Sequence, residues 1–250
     1  MAKGAPLGSR IAVWAGWRSN GKRSLSQADL DRKPDYLKAM EIFAPLSPEQ
    51  WSWLLDNTSM ITCERGRVFY RPDDPGEALF IIKQGKVALY RLTSEGRKLV
   101  IDTLGPLTLF GEMGLIRQRM FGCFAEASED SLICVLSRSD MQDLVRSNPE
   151  VALLLLAEVE RRAQDREAEL EAIAFRGLPE RLATLLLREA DVNGVIDGVT
   201  HQELAERLGT YRETVSQLLG RLRDDDVLYT APRRIEIIDL DGLRRRSEGL

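Results

Sequence analysis

The chain has 250 residues, 44% apolar and 30% charged, the balance of an ordinary folded protein with material for one large core or two domains. Its 35 Lys plus Arg stand against 39 Asp plus Glu, a formal net charge of −4, which excludes nucleic-acid binding through bulk basicity. Any such role must rest on local residues. No apolar run reaches the roughly eighteen residues of a membrane-spanning helix, and the segment after Met1–Arg10 lacks the apolar core of a secretion signal, so a cytoplasmic protein without membrane contact is expected. Cys63, Cys123 and Cys134 are far apart and form no CxxC pair, and His201 is the single histidine. A disulfide framework, a metal centre and a cofactor site are therefore not expected.

Residues 1–35 mix Gly, Ser, Lys and Arg with isolated apolar residues and read as a flexible tail, with Trp14 and Trp17 its two large side chains. Tyr36 to Phe43 predicts a short helix. Ser47, followed by Pro48 and Gln50, has the pattern of a capped helix start and predicts a second helix through Leu55. From Ile61 to Leu136 the period shortens. Apolar runs at Val68–Tyr70, Leu79–Ile82, Val87–Leu92, Leu99–Ile101, Phe121–Ala127 and Leu132–Leu136 alternate with Gly- and Pro-bearing turns. Many short strands of this kind argue an antiparallel barrel or sandwich.

Ser147 or Asn148, with Pro149 and Glu150 behind them, starts a helix that meets no further Pro and no Gly until after Phe175. Apolar residues recur along it at Val151, Leu155, Val159, Ala163, Leu170 and Ile173, with Arg166 as a charged gap and Leu153, Leu154 and Leu156 broadening its start. A helix of about 27 residues, some 40 Å, exceeds the usual globular length and calls for a partner helix from a second chain. Gly177-Leu178-Pro179 interrupts it. The next helix presents Leu182, Leu185, Leu186 and Ala190 inward, and Asp191–Gly198 reads as a turn.

The stretch from Thr200 to Leu228 carries the most information. Thr200 and Glu203 have capping-box spacing, Leu204, Ala205 and Leu208 make one buried face, and Gly209 ends the helix. Thr210 and Glu213 repeat the spacing for a second helix with Val215, Leu218, Leu219 and Leu222 inside. Two short capped helices around a Gly turn predict a helix-turn-helix, and two strands, Leu228–Thr230 and Ile235–Ile238, add a wing. Outside the buried stripe stand Arg212, Glu213 and Gln217. Arg can donate twice to guanine, Glu can accept from cytosine, and Gln can pair with adenine, so these three are the candidate base readers on double-stranded DNA. Thr200, His201, Tyr211, Thr214, Ser216, Arg221, Arg233 and Arg234 are the candidate contacts to the DNA backbone. Asp224, Asp225 and Asp226 oppose the local positive charge, so binding should depend on two modules acting together. No catalytic residues are expected: G-x-S-x-G, Walker, H-E-x-x-H and dinucleotide patterns are absent. The other reading of the module is a protein-docking unit without DNA contact.

These residues carry a likeness. The stretch 76–116, with Phe-Gly-Glu-Met-Gly-Leu at 110–115, the segment 148–187 and the segment 200–228 together resemble the CRP/FNR superfamily of bacterial transcription regulators, over about residues 36–240. The resemblance implies an α+β protein with an N-terminal antiparallel beta-roll, jelly-roll-like sensor domain (36–148), a dimerisation helix (149–176), a winged helix-turn-helix (177–243) and a C-terminal tail (244–250). It also implies a homodimer on a palindromic operator, contact with RNA polymerase, and a hinge near Phe175–Pro179. The candidate effector pocket is Gly111, Glu112, Arg117, Arg119, Phe121, Gly122 and Arg166. Members that bind cyclic nucleotides place an Arg-Ser pair where this chain has Phe121-Gly122, so an effector other than cyclic AMP, or none, is expected. Arg166, followed by Glu167, stands where those members offer small hydroxyl residues. It either pairs with Glu167 or with Glu169 of the partner subunit, or forms an anion site with Arg117 or Arg119. The cysteines and sensor-domain histidine used by iron–sulfur and haem members are missing here.

Overall fold

A computed structural model describes residues 33–75, 77–111 and 122–249. Trp14 and Trp17, and the pocket candidates Glu112, Arg117, Arg119 and Phe121, lie outside the described residues. The described chain forms two units, the first reaching to Tyr90 and taking up Asp102–Glu158, the second comprising Arg91–Ile101 and Val159 onward.

The first unit opens with α1 (Lys33–Lys38) and a single 3-10 turn, Glu41–Phe43. The expected helix Tyr36–Phe43 is thus two pieces, and its start reaches back into the expected tail. Met40 is extended (φ −87°, ψ 118°), which breaks the helix while leaving Leu37, Met40 and Phe43 in the core. Ser47 caps α2 (Pro48–Asn57) by a full capping box: Ser47 Oγ accepts from Gln50 N at 3.3 Å and Gln50 Oε1 from Ser47 N at 3.0 Å.

Among the described residues eight strands follow: β1 (Thr58–Cys63), β2 (Val68–Tyr70), β3 (Ala78–Gln84), β4 (Val87–Leu92), β5 (Lys98–Leu104), β6 (Leu109–Phe110), β7 (Phe124–Ala127) and β8 (Ser131–Ser137). They form two four-stranded sheets, β1-β8-β3-β6 and β2-β7-β4-β5, and the registered pairs are antiparallel. Phe69 of the second sheet packs on Phe80 and Phe110 of the first, with ring centres 5.5 and 5.3 Å away, and so joins the sheets. β1 and β6 were not expected as strands. β1 leaves α2 without a turn residue between, and β6 has two residues, too few for any alternation to show.

A helix that the sequence does not lead one to expect, α3 (Arg138–Ser147), follows β8. Ser137 Oγ caps it by accepting from Asp140 N at 3.1 Å, and Met141 and Leu144 are buried beneath it. Asn148 then starts α4 (Pro149–Phe175), its Oδ1 accepting from Glu150 N at 3.2 Å. Val151 is fully buried in the first unit's own core, and Leu154 and Leu155 pack against the same core. Val151 therefore leaves the expected dimer stripe and Leu155 is partly covered: the first turns of α4 pack on the beta-roll.

In the second unit α5 (Leu178–Glu189) is followed by β9 (Val195–Asp197), so the expected turn Asp191–Gly198 holds a strand. Asp191 Oδ1 accepts from Asn193 N and Val195 N, closing the turn early enough for Ile196 to pair with Ile235 and reach the core. After α6 (His201–Leu208) and α7 (Arg212–Asp224) come β10 (Leu228–Ala231) and β11 (Arg234–Ile237), forming the sheet β10-β11-β9. The chain then forms α8 (Leu240–Ser247), so residues 244–247 are helix rather than tail. Asp239 caps it, and Leu243 is buried in a core with Leu182, Leu186, Leu204, Val215 and Leu219.

Candidate nucleic-acid interface

Thr200 and Glu203 form the capping box that their spacing predicts. Thr200 Oγ1 accepts from Glu203 N at 3.2 Å, and Glu203 Oε2 accepts from Thr200 N at 2.8 Å and from the Thr200 hydroxyl at 2.9 Å. The Thr200 hydroxyl is thus a helix cap rather than an open phosphate donor. Thr200→Ala should loosen α6 by about 1 kcal/mol. Faster amide hydrogen exchange across α6 would report it, and unchanged exchange would contradict it.

α6 closes on Gly209 in the left-handed region (φ 67°, ψ 36°), and Thr210 N reaches back to Ala205 O at 3.0 Å. That bond draws Thr210 into the turn. The expected second capping box, Thr210 with Glu213, does not form. Tyr211 is the N-cap of α7, without a side-chain cap bond, and Arg212 is the first helical residue. The later start leaves the phase of the helix unchanged. Val215, Leu219 and Leu222 are buried, Leu218 packs partly on the same core, and Arg212, Glu213 and Gln217 are exposed together. The scaffold is pinned from behind: Arg207 Nη1 meets Glu189 Oε2 at 2.8 Å, and Arg181 Nη2 donates to Leu208 O at 2.9 Å.

The backbone candidates divide. Arg221 is exposed and Thr214 half-buried. Tyr211 is exposed, with the Arg97 guanidinium 4.8 Å over its ring, a contact that no local pattern could reveal. Arg233 Nη2 donates to Gly198 O at 2.6 Å, and Arg234 Nη1 donates to both carboxylate oxygens of Asp197, at 2.9 and 3.1 Å. These two arginines brace the wing against β9. Arg223 pairs with Asp224 and Arg246 with Asp225, which lowers the local positive charge. His201 Nδ1 lies 2.8 Å from Ser216 Oγ, which itself donates to Arg212 O at 2.9 Å. Burial and then the charge of Arg212 hold the imidazole below its ordinary pKa.

Of the effector candidates, Gly111 and Gly122 lie in the first unit and Arg166 in the second. Gly111 has φ +85°, and a Cβ there would stand 2.8 Å from Ala78 O, so backbone approach requires glycine. Arg166 is half-buried and Nη1 donates to Ile101 O at 3.4 Å. All three cysteines are free and buried, and burial pushes the Cys63 thiol up to about 11, away from reactivity. Among the described residues no cluster of metal-ligating side chains occurs and no helix is long and apolar enough to cross a membrane.

The cyclic AMP receptor protein of Thermus thermophilus is 32% identical over 215 residues, covering 86% of this chain and all of that protein. The chain belongs to the CRP/FNR family. Residues 60–148 match the cyclic nucleotide-binding domain and residues 180–246 the Crp-like helix-turn-helix domain. The global nitrogen regulator of a Nostoc species is 28% identical over 186 residues, 70% of this chain and 83% of that protein. A crystal structure of a CRP/FNR-family transcriptional regulator from Thermus thermophilus aligns with TM-score 0.66 and 26% identity, covering 76% of this chain and 98% of that one. The protein is a CRP/FNR-type transcription regulator, α+β in class, with a helix-turn-helix DNA-binding domain; its relatives are regulators rather than enzymes.

Proposed function

We propose that this CRP/FNR regulator binds a palindromic operator as a homodimer and reads each half-site through Arg212, Glu213 and Gln217. The observation that carries the dimer is the face of α4 beyond its first turns. Leu156, Val159, Leu170 and Ile173 are 63, 40, 65 and 50% exposed in the single chain. With Ala163 and Arg166 they fall at successive intervals of three and four, the spacing of a coiled-coil seam. A second copy of α4 is the occupant that this repeat fits, and a parallel pair would present two α7 helices to one duplex about 34 Å apart. Arg166 then sits at a seam position, where a charge favours one register over others. The exposed trio on α7 supports base reading, and the ion-paired arginines around it support dependence on two modules at once.

For the sensor unit, Phe121-Gly122 in place of an Arg-Ser pair supports an effector other than a cyclic nucleotide. The match to the cyclic nucleotide-binding domain favours a second reading, in which a cyclic nucleotide is held without that clamp. Thermal melting with cyclic AMP or cyclic GMP separates them: no shift supports the first, a saturable rise the second. Work in the cytoplasm alongside RNA polymerase, with the Phe175–Pro179 hinge passing the sensor's state to the DNA-binding unit, completes the proposal. Sedimentation equilibrium tests the assembly. It should give a particle of twice 28.2 kDa and two chains on each operator duplex, and one chain per duplex would overturn it.

A further inference from the structure

The contact between His201 and Ser216 fixes a proton. Ser216 Oγ donates to the Arg212 carbonyl, and a hydroxyl has one hydrogen to give. The tautomer that keeps this bond together with the 2.8 Å contact to His201 carries its hydrogen on Nδ1. In the neutral ring Nε2 is then a bare lone pair, and it makes no hydrogen bond among the described residues. His201 is also the first residue of α6, the helix that crosses the DNA backbone in this motif.

A phosphate brought to Nε2 meets a lone pair when the ring is neutral and an N–H donor when it is protonated. We propose that His201 engages operator phosphate as the imidazolium, so that each recognition module takes up one proton on binding DNA, while Nδ1–H holds Ser216 and, through its carbonyl, Arg212. The proposal rests on the DNA-binding reading above. Burial first, and then the charge of Arg212, favour the neutral ring before DNA arrives. Arg212 faces it from α7, Glu203 on its own helix is turned to the Thr200 cap, Glu206 accepts from Gln202, and Arg233 of the wing is bound to Gly198 O. With the free-state pKa lowered and the bound-state pKa raised by phosphate, affinity is highest below the free-state value. It falls as pH rises through the bound-state value, about tenfold per module for each unit between the two.

The test is operator titration of the full chain at fixed salt from about pH 5.5 to 8, comparing wild type with H201N. The Asn amide can donate to Ser216 as Nδ1–H does, yet cannot titrate. Wild type should lose at least about tenfold more affinity than H201N across the range, and calorimetry in buffers of different ionisation enthalpy should show proton uptake by wild type alone. Parallel pH profiles with no proton uptake, both proteins binding the operator, would overturn the proton and leave the DNA-binding reading intact. Failure of wild type to bind any duplex would overturn both.

Discussion

Leu156→Glu combined with Leu170→Glu should turn the protein into a monomer and lower its operator affinity about 10²–10⁴-fold. Both side chains are exposed in the single chain, so the change removes no core contact within it, and the variant should stay folded, its melt falling only by the stabilisation that dimerisation supplied. The charges instead face one another across the proposed seam, where two carboxylates oppose pairing. The monomer then meets each half-site alone, losing the second contact that follows without a new diffusional encounter. Sedimentation and operator titration on the same sample read both effects. A variant that remains dimeric would place the subunit contact elsewhere.

Arg212→Ala should have the second large effect, about 1–3 kcal/mol for each half-site and about twice that on a full palindrome. Arg212 is the first residue of α7 and fully outside its apolar stripe, so the loss is one of contact rather than of folding. The decisive comparison is scrambled DNA. A base reader loses affinity on the operator and little elsewhere, so the specificity ratio collapses. Equal losses on both would reassign Arg212 to phosphate.

The helix-turn-helix was legible because its signals are local. Thr200 with Glu203, the glycine at 209 and the 3.6-residue stripe of α7 each act within a few residues. The same locality misled at Thr210 and Glu213, where the right spacing is overruled by a turn that takes the Thr210 amide back to Ala205. Two-residue β6 carries no period at all. Ser137 and Asp140, with Met141 and Leu144 one turn apart, signal α3, but the segment follows directly on a strand run with no Gly or Pro between them. Val151 and Leu155 stand four residues apart in line with Val159, and only the beta-roll core beside them shows which way they turn. Arg233, Arg234 and His201 were visible as polar residues near the module. Their partners, Gly198, Asp197 and Ser216, are brought close by the fold, so sequence alone could not separate bracing contacts from open ones.

Selection of bound sequences from a pool of random duplexes by the purified full chain tests palindromic base reading by α7 outright. An inverted repeat should emerge, its half-sites centred about one helical turn apart, and its consensus should lose bases when Arg212, Glu213 or Gln217 is replaced. Enrichment of a lone half-site, of a direct repeat, or of no sequence would contradict it.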